Sequence, residues 1–137
     1  MKKAEEIRSV ELVFPNDINH YGTLFGGKLL EWMDKAAFLA ATRFAGEPCV
    51  TASLDRVDFR IPIRLGDAVD LSARVVFSGR TSMIVRVDVS SYPPSGGEKR
   101  LCTSGYLTMV AVSETGKPLP VPELEIQGPE DQREFEK

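Results

Sequence analysis

Between residues 27 and 44 the chain carries Leu29, Leu30, Trp32, Met33, Ala36, Ala37, Leu39, Ala40 and Ala41. At helical spacing these positions cover most of the circumference rather than one stripe, which predicts a long helix buried in the core. Ala45-Gly46-Glu47-Pro48 ends it, since glycine suits the C-terminal cap and proline cannot continue a helix. Ahead of the helix, Ile7 to Phe14 reads as a short edge strand and Pro15-Asn16-Asp17 as a turn. Asn19 to Gly27 is a glycine-bearing loop that leads directly into the helix.

From Val50 the period changes to that of strands. Val50 to Ile61 places Ala52 and Leu54 on one face, then Val57, Phe59 and Ile61 on the other. The slip near Asp55 and Arg56 predicts a bulge that bends the strand. After the turn Leu65-Gly66-Asp67, the residues Val69, Leu71, Ala73, Val75 and Phe77 alternate strictly. Ser78-Gly79-Arg80 turns the chain into Met83, Val85, Val87 and Val89, and a last long strand runs from Arg100 to Val112. One helix followed by strands on short turns predicts an α+β fold, a curved antiparallel sheet of five or six strands around one central helix. Residues 1–122 form a single domain in this reading, with a frayed charged start at Met1 to Glu6. Residues 123–137 form a polar, flexible tail. One helix cannot cover such a sheet and its open edges, so a dimer that continues the sheet is expected.

Composition narrows the class without naming the chemistry. The chain has 137 residues, which suits one domain, and a formal net charge of -3, which argues against a nucleic-acid binder. Cys49 and Cys102 are too few and too far apart for a metal or disulfide framework, so two reduced, half-buried thiols are expected. No apolar run reaches the roughly 20 residues of a membrane span, and the charged N-terminus does not resemble a signal peptide. A cytoplasmic protein with no membrane partner follows as the expectation.

Asp34 is the most informative residue. A carboxylate two turns inside an apolar helix is costly unless it is paired, hydrogen-bonded or used in chemistry. It either lies on a wet stripe near Glu31 and Lys35, or pairs with an arginine, or acts as a base or nucleophile. Gly26-Gly27 is the second feature. Unpaired N–H groups at a helix start suit a developing oxyanion, although a simple tight turn would use the same glycines.

The stretch from Asn19-His20-Tyr21-Gly22 through Phe25-Gly26-Gly27 to Met33-Asp34 resembles the signature of the acyl-CoA thioesterases of the hotdog superfamily. Two more segments fit: Phe59-Arg60-Ile61-Pro62 with Gly66-Asp67 resembles the family's F-x-x-P-x-x-x-G-D stretch, and Gly79-Arg80-Thr81-Ser82 its G-x-T-S turn. The similarity runs from about residue 7 to 122, with Gly116-Lys117-Pro118 near its close.

The resemblance implies the hotdog fold, hydrolysis of acyl-CoA to a carboxylic acid and CoA, and active sites shared between subunits of a dimer, often as a trimer of dimers. Asp34 would be general base or nucleophile, Asn19 would position water or thioester, and the Gly27 N–H, with Gly26 beside it, would hold the oxyanion. Phe25, Arg80, Thr81 and Ser82 would contact the substrate. Arg56, Arg60 and Arg64, spaced along one extended segment, either add to this anion site or, as Arg80 also could, lie on a solvated sheet edge. No metal or separate cofactor is implied, coenzyme A being part of substrate and product. Gly27 and Asp34 stand roughly 10 Å apart along one helix axis, too far for one carbonyl, so Asn19 and Gly27 of one chain are expected to face Asp34 of another. His20 is expected to serve the loop surface. The rivals are a non-catalytic acyl-CoA sensor and an acyl-thioester hydratase or dehydratase.

Overall fold

The computed structural model describes residues 1–55 and 57–126. Its elements are β1 (Ile7–Leu12), a 3-10 turn at Pro15–Asp17, α1 (Gly26–Ala45), β2 (Cys49–Asp55), β3 (Ala68–Ser78), β4 (Ser82–Tyr92) and β5 (Arg100–Ala111). The five strands form one antiparallel sheet in the order β1-β3-β4-β5-β2. The α+β expectation holds, with five strands.

Helix α1 lies against the inner face of the sheet through Leu29, Trp32, Met33, Ala36, Ala37, Ala40, Ala41 and Phe44. Burial of each large side chain among them contributes about 1.5–3 kcal/mol. Small alanines let the helix approach closely, and Gly105 does the same from the sheet. A methyl group added there would come within 2.8 Å of the Met33 Cε and 2.9 Å of a Val57 methyl. The helix ends as expected, with Gly46 left-handed at φ 71 and its N–H donating to the Thr42 carbonyl.

Three expectations change. The helix is not buried all round in the single chain, because Asp34, Phe38 and Leu39 lie on its exposed face. Phe38 and Leu39 thus leave apolar surface exposed beside the Asp34 carboxylate. The strand expected from Val50 to Ile61 stops at Asp55, and its register shift lies between Thr51 and Ser53, not at Asp55. Asp55 ends the pairing and the chain leaves the sheet, so the alternation of Val57, Phe59 and Ile61 belongs to a packed loop. Consequently β2 and β3 are not neighbours; β2 pairs β5, and β3 pairs β1 and β4.

The two chain ends meet. Lys2 bridges Leu124, with Lys2 N–H donating to the Glu123 carbonyl and Glu125 N–H to that of Lys2. The Lys2 ammonium also bonds the Phe44 carbonyl at 2.7 Å, a cation at the helix C-terminus. The charged start is therefore tied down, as are residues 123–125 of the expected tail. Residues 127–137 of that tail, and Arg56, lie outside the described residues.

Candidate active site

The loop before α1 is built by Asn19. Its Oδ1 accepts from the backbone N–H of Tyr21 at 2.9 Å and of Thr23 at 3.2 Å, while Nδ2 donates to the Thr23 hydroxyl at 2.9 Å. Gly22 takes φ 79 inside this turn, where a side chain would be strained. The amide thus shapes the loop, and its second Nδ2 hydrogen has no acceptor among the described residues. His20 is exposed, with its ring centroid 5.3 Å from that of Tyr21.

The loop delivers the chain into α1 at Gly26. Phe25 caps it in extended conformation without a side-chain bond, and its carbonyl accepts from the N–H groups of Lys28 and Leu29. The N–H groups of Gly26 and Gly27 precede any available helical carbonyl and point from the positive end of the helix dipole. Gly27 is exposed, and a side chain there would press on the Phe25 ring at 3.1 Å. A larger residue at that position would have to push the exposed Phe25 ring aside.

Two turns on, Asp34 stands on the exposed face of α1 beside the edge strand β2. The Thr51 hydroxyl donates to its Oδ1 at 2.5 Å. Thr51 sits on β2 opposite Met109 of β5, so the bond ties the helix to the open edge of the sheet. Glu31 lies one turn before Asp34 and is occupied with Lys35 and Lys28, at 3.3 and 3.6 Å. Hydrogen bonding to Lys35, with the two ammonium charges, holds its carboxyl below the usual range. Among the described residues Asp34 is neither paired with an arginine nor drawn into that lysine cluster, although the sequence alone left both readings open.

The remaining expected residues divide between two ends of the molecule. Arg60 is exposed, and its N–H bonds the Cys102 carbonyl at the start of β5, near the helix N-terminus. Arg80, Thr81 and Ser82 form the β3–β4 turn, where the Ala111 N–H bonds the Thr81 carbonyl at the far end of β5. The eight residue steps from Cys102 to Val110 separate the two groups by roughly 26 Å. Within one chain Arg80 cannot serve the helix start. Arg64 is exposed in the turn after the loop. Thr51 was invisible to sequence reasoning, because a threonine on a strand is ordinary and lies far from any motif. No group of three or more His, Cys, Asp or Glu side chains gathers among the described residues.

A cavity of about 320 Å³ opens beside the helix start, lined by Gly26, Leu29, Phe59, Ile63, Cys102 and Thr103 among others. It lies between α1, the loop after β2 and the inner face of β5. A thioester carbonyl held at the helix N-terminus would have this cavity at its side.

The model of the thioesterase superfamily matches residues 21–96. The chain is 41% identical over 122 residues to an uncharacterized acyl-CoA thioester hydrolase of Bacillus subtilis, covering 89% of this chain and 71% of the relative. A hexameric acyl-CoA thioesterase superposes with a TM-score of 0.91 at 47% identity, over 96% of this chain and 84% of that one. The acyl-CoA hydrolase of Staphylococcus aureus, solved with butyryl-CoA, CoA and CoA disulfide, superposes with a TM-score of 0.91 at 34% identity. That match covers 98% of this chain and 84% of the other. Further structures of the Staphylococcus protein carry single alanine variants at an asparagine, at an aspartate 15 residues later and at a threonine 17 after that. Asn19, Asp34 and Thr51 have the same residue types at the same spacing.

Proposed function

The chain belongs to the thioesterase superfamily, and we propose that it hydrolyses acyl-CoA thioesters to a carboxylic acid and CoA through Asp34. Two features carry this reading: the Asp34 carboxylate, held by Thr51 at the open edge, and the N–H groups of Gly26 and Gly27, which have no partner among the described residues. One supplies negative charge for proton abstraction or attack, the other positive dipole for an oxyanion.

In the reaction, a thioester carbonyl rests at the helix N-terminus with its oxygen toward the Gly27 N–H. Asp34 either takes a proton from water as the water's oxygen bonds the carbonyl carbon, or bonds that carbon itself to give an anhydride that water then opens. The charge that develops on the carbonyl oxygen is stabilised at the helix start, by on the order of 3 kcal/mol. The C–S bond breaks as the carbonyl reforms, and CoA thiolate leaves without a dedicated acid. Water's two protons end on the acid and the thiol. Asn19 uses its free Nδ2 hydrogen to orient water or thioester.

The site is completed by a second chain. Asp34 lies beside Phe38 and Leu39, which are 41% and 48% exposed, and beside β2, where Val50 to Asp55 are all exposed along an unpaired edge. A second copy docked there would bring its own helix start to Asp34, which the roughly 10 Å to Gly27 of the same helix does not allow. A solved relative is named as hexameric, an assembly that three such dimers would build. Arg80, Thr81 and Ser82, remote from the helix start of their own chain, then serve CoA of a neighbouring site, and Phe25 and Arg60 that of their own. The two free, buried thiols fit a reducing compartment, and we place the protein in the cytoplasm.

The test is release of free thiol from a panel of acyl-CoAs. Wild-type protein should release CoA from at least part of the panel, and Asp34→Ala should do so at least about a hundredfold more slowly while keeping its fold by circular dichroism. Undiminished hydrolysis by that variant removes Asp34 from the reaction, and no release by wild type removes the hydrolase reading.

A further inference from the structure

We infer that the ring of Phe59 sets the acyl specificity of the site. It admits straight acyl chains to the cavity beside the helix start and excludes those branched or aromatic at the carbon next to the thioester carbonyl. This rests on the hydrolase reading above and adds a substrate class to it.

Phe59 lies in the loop that leaves the sheet after β2, and that loop is anchored on both sides of it. Val57 packs against the core at Gly105, and the Arg60 N–H donates to the Cys102 carbonyl at 3.2 Å. Further on, the Ile63 carbonyl accepts from the Leu24 N–H at 2.6 Å. The backbone is thereby placed, yet the Phe59 side chain is 55% exposed. A large apolar ring left half in water adds little to the stability of the fold. Its position is the informative part. Phe59 and Gly26 both line the 320 Å³ cavity, and the Phe59 Cζ stands 3.8 Å from the point where a Cβ on Gly26 would lie.

That distance measures a gap. A methyl group on Gly26 would meet the ring at ordinary van der Waals contact, so the space between helix start and ring is about one methyl group wide. A thioester whose oxygen rests on the Gly27 N–H has its carbonyl carbon beside Gly26. Of its two arms, the pantetheine arm must return to solvent, because it ends in a large charged nucleotide. The acyl arm takes the cavity, where Leu29, Ile61 and Ile63 offer apolar walls. Its first carbon then passes between Gly26 and the Phe59 ring. An unbranched chain has the cross-section of a methylene group and fits. A methyl branch or an aryl ring at that carbon is wider than the gap, and swinging Phe59 aside to admit it removes one wall of the cavity. In an apolar pocket a single misplaced methylene group changes kcat/KM by about 10–200-fold.

The experiment uses full-length protein and acyl-CoAs paired by carbon number, with thiol release as the readout. Butyryl-CoA is set against 2-methylpropanoyl-CoA, hexanoyl-CoA against 2-methylpentanoyl-CoA, and heptanoyl-CoA against benzoyl-CoA. Wild type should favour the straight member of each pair by about tenfold or more in kcat/KM. Phe59→Ala should bring the two members within about twofold of each other, and Phe59→Leu should fall between, with circular dichroism confirming that both variants keep the fold. Three results overturn the inference: no preference in wild type, a preference that survives Phe59→Ala, or an equal fall for both members of every pair. The last would place the ring against the pantetheine arm common to all. Release without discrimination leaves the hydrolase reading standing and this one lost. Absence of release from every compound counts against the hydrolase reading itself.

Discussion

A carboxylate is useful for chemistry only when its lone pairs are aimed, and Asp34 is aimed by one bond from Thr51 across to the edge strand. Thr51→Val should therefore lower kcat about tenfold with KM changed less than about twofold, and Thr51→Ser should restore most of the loss. Steady-state kinetics on one acyl-CoA separates this from a structural role, which Ser would not rescue selectively. Asp34 itself was legible in the sequence because a charged residue inside an apolar helix is conspicuous and because Gly26-Gly27 stands two turns before it. Its exposure was not, since a helix pattern does not say which apolar positions face the chain's own sheet and which await another surface. Thr51 was illegible for a related reason: the contact joins residues 17 apart through tertiary packing alone.

Strands and helix have separate requirements. Helix α1 can lie close to the sheet only where both surfaces are small, and at Gly105 even an added methyl group would crowd Met33. Gly105→Ala should cost about 1–3 kcal/mol in denaturant unfolding, because Val57 and Met33 must both move. On the outer face, Asp70 of β3 joins several elements: Tyr92 of β4 donates to it at 3.1 Å, Arg8 of β1 lies 3.8 Å away, and Lys99 pairs with it from the β4–β5 loop. Burial raises its carboxyl, but Lys99, Tyr92 and Arg8 together outweigh that and hold it below the usual range. A depressed carboxyl stabilises the fold above its unfolded value of about 3.9, and the contribution disappears as pH falls through the folded value. Asp70→Asn should therefore unfold more readily than wild type at pH 7, with the gap narrowing below about pH 4. A gap unchanged by acid would show that the charge is not what matters there. The strict alternation of β3, β4 and β5 made these strands readable, whereas β2 was read too long because the loop after it carries the same apolar alternation off the sheet.

At the scale of the whole molecule, the fold class and the order of its elements were available from periodicity, while the sheet order was not. Short turns pair β3 with β4, but nothing in the pattern shows that β1 enters beside β3 and sends β2 to the far edge. That placement leaves β2, Phe38 and Leu39 open together, next to Asp34. Leu39→Glu should shift sedimentation toward smaller species and reduce thiol release most at low protein concentration. The most direct test of a shared site is to mix two inactive proteins, Asp34→Ala and Asn19→Ala, by co-refolding and to measure CoA release. If each site joins Asp34 of one chain to the loop and helix start of another, the mixture should recover about a quarter of wild-type activity, since half of random dimers are mixed and each holds one intact site of two. A mixture no more active than its two components would show that the site lies within a single chain.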